Sequence, residues 1–235
     1  MYNVDIFAID FDSTFIEYES FDYLINSVIA GHTREKEIKE KLKHINSMVM
    51  KSNLDFRESF TMKIGILQSI LRKEHFEKVS KFLEDKITPE IAKLLQLIKE
   101  KNKKVIVLSN SFKILMQDIM KKNNIDIYFA NKITFSKDGR IEDFDDTNIM
   151  ANNNGKINTL RFLKETGLIL PEEKIMMIGD GVSDLDVYAK EECDYFVNFA
   201  IYKNRKLKKH RFRDDNNFIV CKTSEEFYSI LEKIQ

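Results

Sequence analysis

Asp10 and Asp12 stand one residue apart at the end of the apolar run VDIFAI, and Asp180 and Asp184 lie within the segment GDGVSD further along. Carboxylates this close repel one another, so they need a compensating positive charge. Oxygen-only ligation with waters suits Mg²⁺. Zinc fits poorly, because the histidines (His32, His44, His75 and His210) are scattered, none with another at i+3 or i+4. Between the acidic segments, KVIVL is followed by Ser109, Asn110 and Ser111, and Lys156 follows Gly155 at the start of a helical pattern. A helix start is a poor place for an ammonium unless an anion is nearby. Placed together, these groups suit a phosphate ester. Ser109, Asn110 and Lys156 are the candidate phosphate-binding residues, aided by backbone N–H groups at a helix N-terminus. An ionised Asp10 is a competent nucleophile toward phosphorus. Asp12, two residues on, points the same way along a strand and can protonate the leaving oxygen. Catalysis of this kind is mostly positioning and charge neutralisation.

The elements that must bring these groups together are legible in the pattern of apolar residues. VDIFAI reads as a buried strand. From Glu19 to about Lys86 no strand is evident; apolar residues recur at helical spacing, as in Phe56, Phe60, Ile64 and Leu67, and about four helices are expected. After Pro89 the pattern alternates: helix, the KVIVLSNS strand with its exit loop, helix, the IDIYFA strand. A hairpin turning at Asp138-Gly139 follows, then a helix closed by Gly167, the KIMMI strand, a helix, two short strands and a last helix capped by Thr223 or Ser224. Strands alternating with helices indicate an α/β class, a doubly wound, mostly parallel sheet. The helical block after the first strand reads as an inserted cap, residues 16–85, on a core of 1–15 and 86–235. Ligands of such sheets bind beyond the carboxyl ends of the strands, where the acidic and hydroxyl residues lie.

DFDST, LSNS, a lysine and GDGVSD, in that order, resemble the motifs of the haloacid dehalogenase superfamily. The helical insert directly after the first motif resembles its phosphoserine-phosphatase-like branch. The resemblance implies Asp10 as nucleophile and metal ligand, and Asp12 as general acid and then base, its backbone carbonyl completing the metal shell. It implies Asp180 as the third metal ligand, with Asp184 orienting Lys156 or a metal-bound water. Ser109 and Lys156 would hold the phosphate. Glu19 falls where the family meets a substrate amino group, and Arg205 where some relatives place an arginine near the active site. There are departures. The family's carboxylate-binding arginine falls on Lys63, which keeps the charge but loses the bidentate fork. The usual Ser-Gly-Gly is Ser109-Asn110-Ser111, and a glycine-rich turn is replaced by NFAIYKN (198–204). The expected reaction is Mg²⁺-dependent hydrolysis of a phosphomonoester, O-phospho-L-serine foremost. The alternatives are an amino alcohol phosphate, a nucleotide fragment, or transfer to a second substrate by a phosphotransferase or mutase.

The bulk of the sequence agrees with a small-metabolite enzyme. Lys+Arg and Asp+Glu are equal at 38 each in 235 residues, which gives no pointer to nucleic acid or to a membrane surface. No run approaches the ~18 apolar residues of a membrane span. The N-terminal apolar stretch carries Asp5, Asp10 and Asp12, which is wrong for a signal peptide. Cys193 and Cys221 provide no disulfide framework, so a reduced, cytoplasmic setting is expected and both thiols read as packing residues. The basic run 203–213 reads as a solvated face, with contact to an anion as the alternative. Oligomeric state is not legible.

Overall fold

The computed structural model describes residues 1–50, 54–203, 207 and 215–235. Arg205 and most of the basic run 203–213 lie outside them. A parallel sheet is built from β1 (Ile6–Asp10), β2 (Lys104–Phe112), β3 (Tyr128–Asn131), β6 (Ile175–Gly179), β7 (Tyr195–Phe199) and β8 (Phe218–Cys221), in the order β3-β2-β1-β6-β7-β8. Each neighbouring pair is parallel, including β1 with β2 and β1 with β6. Every residue of β1 and β6 is buried, as expected of strands covered on both faces. The two faces feed separate cores. Phe7 and Ile9 pack with α5 (Pro89–Glu100), α6 (Lys113–Lys122) and α9 (Ser224–Leu231). Ile6 and Ala8 pack with α7 (Gly155–Glu165) and α8 (Val182–Ala189). By the same alternation Asp10 falls on the α7 side of the sheet.

Sheet order reverses at β1, whose neighbours β2 and β6 lie far apart in sequence. The crevice beyond the carboxyl ends of these strands is therefore the topological switch point, where open α/β sheets bind ligands.

The helical insert comprises α1 (Ser20–Ile29), α2 (Glu35–Met50), α3 (Phe56–Leu67) and α4 (Lys73–Leu83). Its entry and exit run side by side: Ile16 and Ile87 form an antiparallel bridge, and Thr88 binds back to Phe15 and Thr14 through its N–H (2.9 Å) and hydroxyl (3.0 Å). Aromatic rings seat the insert on the core. Phe112, at the end of β2, touches Phe21, Phe60 and Phe76 with centroids 5.0, 5.4 and 5.9 Å apart. The expected hairpin, β4 (Ile133–Phe135) and β5 (Ile141–Phe144), is antiparallel, with Gly139 at φ +77°. Its rings join the same cluster, Phe135 on Phe76 and Phe144 on Phe60. Gly167 is left-handed just beyond α7, and Thr223 caps α9 by accepting the Glu226 N–H.

Two local features differ from the sequence reading. β2 runs on through Phe112 instead of ending in a loop after Leu108, with an irregular register against β3 between Leu108 and Phe112. β1 ends at Asp10, and Phe11–Phe15 forms a wide turn with Ser13 in the left-handed region (φ 57°). Asp12 keeps an extended backbone (φ −73°, ψ 134°), so its carboxyl stays with that of Asp10 although the strand has ended. The Ser13 conformation is unfavourable for a residue with a Cβ. It is held by the Ser13 N–H to the Tyr18 carbonyl (3.0 Å) and the Ser13 hydroxyl to Glu19 (2.8 Å).

Candidate active site

The chemistry-bearing ends of β1 and β6, the first turn of α7 and the helical insert meet in one cleft of about 600 Å³. Its floor carries Asp10, Asp12, Lys156, Asp180 and Asp184. The Lys156 ammonium, 3% exposed, hydrogen-bonds Asp10 and lies 2.6 Å from Asp184 Oδ1. Asp184 is held from its other side, where Oδ2 accepts the Gly181 N–H at 2.9 Å. This grip needs Gly179: a Cβ there would lie 2.3 Å from Asp184 Cγ. Gly155 has a similar role before Lys156, since a Cβ would meet the Met150 backbone at 2.9 Å.

Charge explains what this floor can hold. One oxygen each from Asp10, Asp180 and Asp184 lies within 4.8 Å of the others, and all three residues are buried. Three carboxylates and one ammonium leave a formal charge of −2. Burial, then the neighbouring Asp184 carboxylate, pushes Asp10 well above the usual carboxylate range. For Lys156, burial alone would favour the neutral amine, but Asp10 and Asp184 outweigh it and hold the group charged. The residual charge and the all-oxygen donor set fit a hard divalent cation.

Asp12 sits beside this cluster. Its Oδ1 accepts the Ser20 N–H at 2.7 Å, at the start of α1. Burial, and then Glu19, pushes Asp12 up to about 7. Ser109 is fully buried; its hydroxyl accepts the Ser111 N–H at 3.0 Å and lies 3.5 Å from Asp12 Oδ2, a contact too long for a firm hydrogen bond. Asn110 lines the cleft, with its carbonyl fixed by the Asn131 side chain at 2.7 Å.

The wall facing the floor comes mostly from the insert. Glu19, Asp22, Phe60 and Lys63 line it. Lys63 lies 5.5 Å from the centroid of Phe60, and burial pushes its ammonium below the usual lysine range. Glu19 accepts from both Ser13 (2.8 Å) and Lys203 (2.5 Å). Lys203 reaches the cleft because Tyr202, its neighbour, is anchored to Glu90 on α5 at 2.6 Å. The structure thus brings Asp10, Asp12, Asn110, Lys156, Asp180, Asp184, Glu19 and Lys63 to one cleft, with Ser109 behind it. Arg205 lies outside the described residues. Sequence reasoning missed Ser20, Asp22 and Lys203. The only signal for Lys203 was its place at the head of the basic run; nothing in the sequence marks the other two.

With fold and site in view, comparison with known proteins gives the class. The family model of haloacid dehalogenase-like hydrolases matches residues 4–189. Human phosphoserine phosphatase is 28% identical over 201 residues, covering 85% of this chain and 83% of the human one. Two solved structures share the fold over nearly all of both chains. A phosphoserine phosphohydrolase-like protein from Francisella tularensis has a TM-score of 0.75 at 24% identity, covering 98% of this chain and 99% of its own. A phospho-aspartyl intermediate analogue of phosphoserine phosphatase has a TM-score of 0.69 at 23% identity, covering 100% of each. The chain belongs to the haloacid dehalogenase-like hydrolases. It is an enzyme of the hydrolase class, and its fold is that of the phosphoserine-phosphatase-like branch. No helix among the described residues is long and apolar enough to cross a membrane.

Proposed function

We propose that the protein hydrolyses a small phosphomonoester through an aspartyl-phosphate on Asp10, with Mg²⁺ as cofactor and O-phospho-L-serine as the leading substrate. The observation that carries this reading is the floor of the cleft: an ammonium locked between Asp10 and Asp184, with Asp180 and Asp12 alongside. Asp10, Asp180 and the Asp12 backbone carbonyl would hold the metal. When bound, Mg²⁺ would neutralise carboxylate and phosphate charge and leave Asp10 ionised. Lys156 would balance charge on the phosphoryl oxygens and keep the Asp10 carboxylate oriented; Asp184 fixes Lys156. Ser109 and Asn110 would bound the phosphate on the β2 side.

In the first step the Asp10 carboxylate bonds to phosphorus and the ester P–O bond breaks. The departing oxygen takes its electron pair and a proton from Asp12. In the second step Asp12, now a carboxylate, takes a proton from water, whose oxygen attacks phosphorus. This frees phosphate and regenerates Asp10. Residues 16–85 would act as the cap, excluding water until the aspartyl-phosphate forms.

The resemblance to phosphoserine phosphatases supports phosphoserine, and Glu19 and Lys63 on the cap wall are the groups to read its ammonium and carboxylate. The test is phosphate release from a panel of phosphorylated metabolites, ranked by kcat/KM with Mg²⁺ and with EDTA. O-phospho-L-serine should lead, with L-serine as product and with activity lost on chelation and restored by Mg²⁺. A better amino alcohol phosphate or nucleotide would move the substrate assignment. A phosphorylated acceptor in place of free phosphate would make the enzyme a transferase, and activity indifferent to EDTA would remove the metal.

A further inference from the structure

We propose that Lys203 is a specificity-determining residue: its ammonium competes with the ammonium of an amine-bearing phosphate ester for the Glu19 carboxylate. The proposal rests on the reading of Glu19 as the group that meets a substrate amine and adds to it a rival built into the chain. Lys203 belongs to NFAIYKN (198–204), the segment that stands in place of a glycine-rich turn. The segment is tied to the core. The Ala200 N–H binds the Cys221 carbonyl at 2.7 Å, and the Tyr202 hydroxyl donates to Glu90 at 2.6 Å. Glu90 is buried and also accepts the Ser224 hydroxyl, at the start of α9. From this fixed base the Lys203 stem crosses to the insert and places Nζ 2.5 Å from Glu19 Oε1. Both residues line the cleft.

The same oxygen, Oε1, also accepts the Ser13 hydroxyl at 2.8 Å. A carboxylate oxygen has about two lone-pair sites, so these two donors fill Oε1. A primary ammonium on a substrate offers what Lys203 offers, a single positive charge and several N–H donors. To reach Oε1 it must displace Lys203. The pair is open to water, with side chains 43% and 32% exposed, and ion pairs of that kind are weak. A lysine stem is flexible, so the ammonium swings out into water while Tyr202 stays anchored. Charge points the same way. Among the described wall residues, Lys63 and Lys203 balance Glu19 and Asp22. With Lys203 in place the wall has no net charge to attract a substrate cation, whereas its removal would leave the wall net negative and favour the amine. Lys203 therefore narrows the preference for amines. It lets amine-free phosphorylated hydroxy acids share the site, their carboxylate facing Lys63.

The experiment measures inhibition of 4-nitrophenyl phosphate hydrolysis, with Mg²⁺ present, by two acids of one skeleton. O-phospho-L-serine carries the ammonium; the L-enantiomer of 3-phosphoglycerate has a hydroxyl in its place. The readout is the ratio of their inhibition constants in wild type, Lys203→Met, Glu19→Gln and the double variant. Methionine keeps most of the stem and removes the charge. Lys203→Met should tighten O-phospho-L-serine about three- to fivefold, the size of an exposed ion pair, and leave 3-phosphoglycerate unchanged or weaker. Glu19→Gln should weaken O-phospho-L-serine, and in that background Lys203→Met should no longer move the ratio. A ratio unchanged by Lys203→Met, or moved against the amine, overturns the proposal. So does a shift of equal size in the Glu19→Gln background, which would place the action of Lys203 elsewhere. Absence of inhibition by O-phospho-L-serine in both wild type and Lys203→Met overturns it too. A Glu19→Gln variant that binds O-phospho-L-serine as wild type does removes Glu19 as the amine reader, and the proposal with it. The substrate assignment fails separately: if O-phospho-L-serine releases no phosphate while the ratio still shifts as expected, the competition for Glu19 stands and phosphoserine is not the substrate.

Discussion

The floor and the wall of the cleft are built on different principles. On the floor Asp10, Asp180 and Asp184 are buried and Asp12 is partly buried, and each of Asp10, Asp184 and Lys156 is locked by short contacts to the others or to a backbone amide. On the wall, Lys63 and Lys203 are half-exposed, and Lys203 holds Glu19 through a side chain 43% exposed. The floor comes from the strand ends and the first turn of a helix, while the wall comes mostly from the insert. Pre-set, desolvated charge suits a step that must be the same for every phosphate ester. Long, partly hydrated side chains suit recognition of the group that differs between esters. The division teaches that floor substitutions should abolish turnover of all substrates, whereas wall substitutions should reorder them.

The largest effect is expected from Asp10→Asn, which removes the proposed nucleophile. Turnover should fall by at least about 10⁴-fold for every ester tested, with the circular dichroism spectrum unchanged. Retained activity would place the nucleophile elsewhere. Next comes Lys156→Ala, which leaves two buried carboxylates without their ammonium. Urea unfolding in EDTA should show a loss of about 3–5 kcal/mol, and Mg²⁺ should return part of it. A variant as stable as wild type without metal would mean that Lys156 does not balance the cluster. Gly179→Ala follows, because its methyl would displace Asp184 from Lys156 and Gly181. A loss of about 1–3 kcal/mol in stability and roughly 100-fold in kcat should appear in thermal melts and steady-state rates. A kcat near wild type would show that the Asp184 grip on Lys156 is dispensable. The smallest effect belongs to the wall. Lys63→Ala should raise KM for O-phospho-L-serine by about tenfold while leaving 4-nitrophenyl phosphate nearly untouched. Equal changes for both substrates would erase the distinction between floor and wall.

The floor was legible in the sequence because each of its residues interrupts an apolar strand or opens a helix, and parallel strands deliver their carboxyl ends to one rim. The alternation of Ile6, Ala8 and Asp10 sets the face of the sheet, and Lys156 at the start of α7 is on that face. The insert was legible as helices by spacing, but its contacts were not. Ser20 meets Ser111 and Lys203 meets Glu19 across 91 and 184 residues, and no local pattern reports such pairings. The wide turn at Phe11–Phe15 was also invisible, since Ser13 is a non-glycine residue at positive φ held by tertiary hydrogen bonds. The strand argument for Asp12 gave the right direction for an incomplete reason: the strand stops, but the extended backbone at Asp12 carries its alternation forward.

The central claim is that one carboxylate on this floor becomes covalently phosphorylated, and trapping that species tests it most directly. Enzyme mixed with a turned-over phosphate ester and Mg²⁺ is quenched in acid, digested and read by mass spectrometry. The expected result is an acid-stable, hydroxylamine-labile phosphate on the peptide containing Asp10, absent from Asp10→Asn and from samples prepared with EDTA. Phosphate on a different residue, or robust turnover with no phosphoenzyme under conditions where Asp12→Asn blocks the second step, would contradict it.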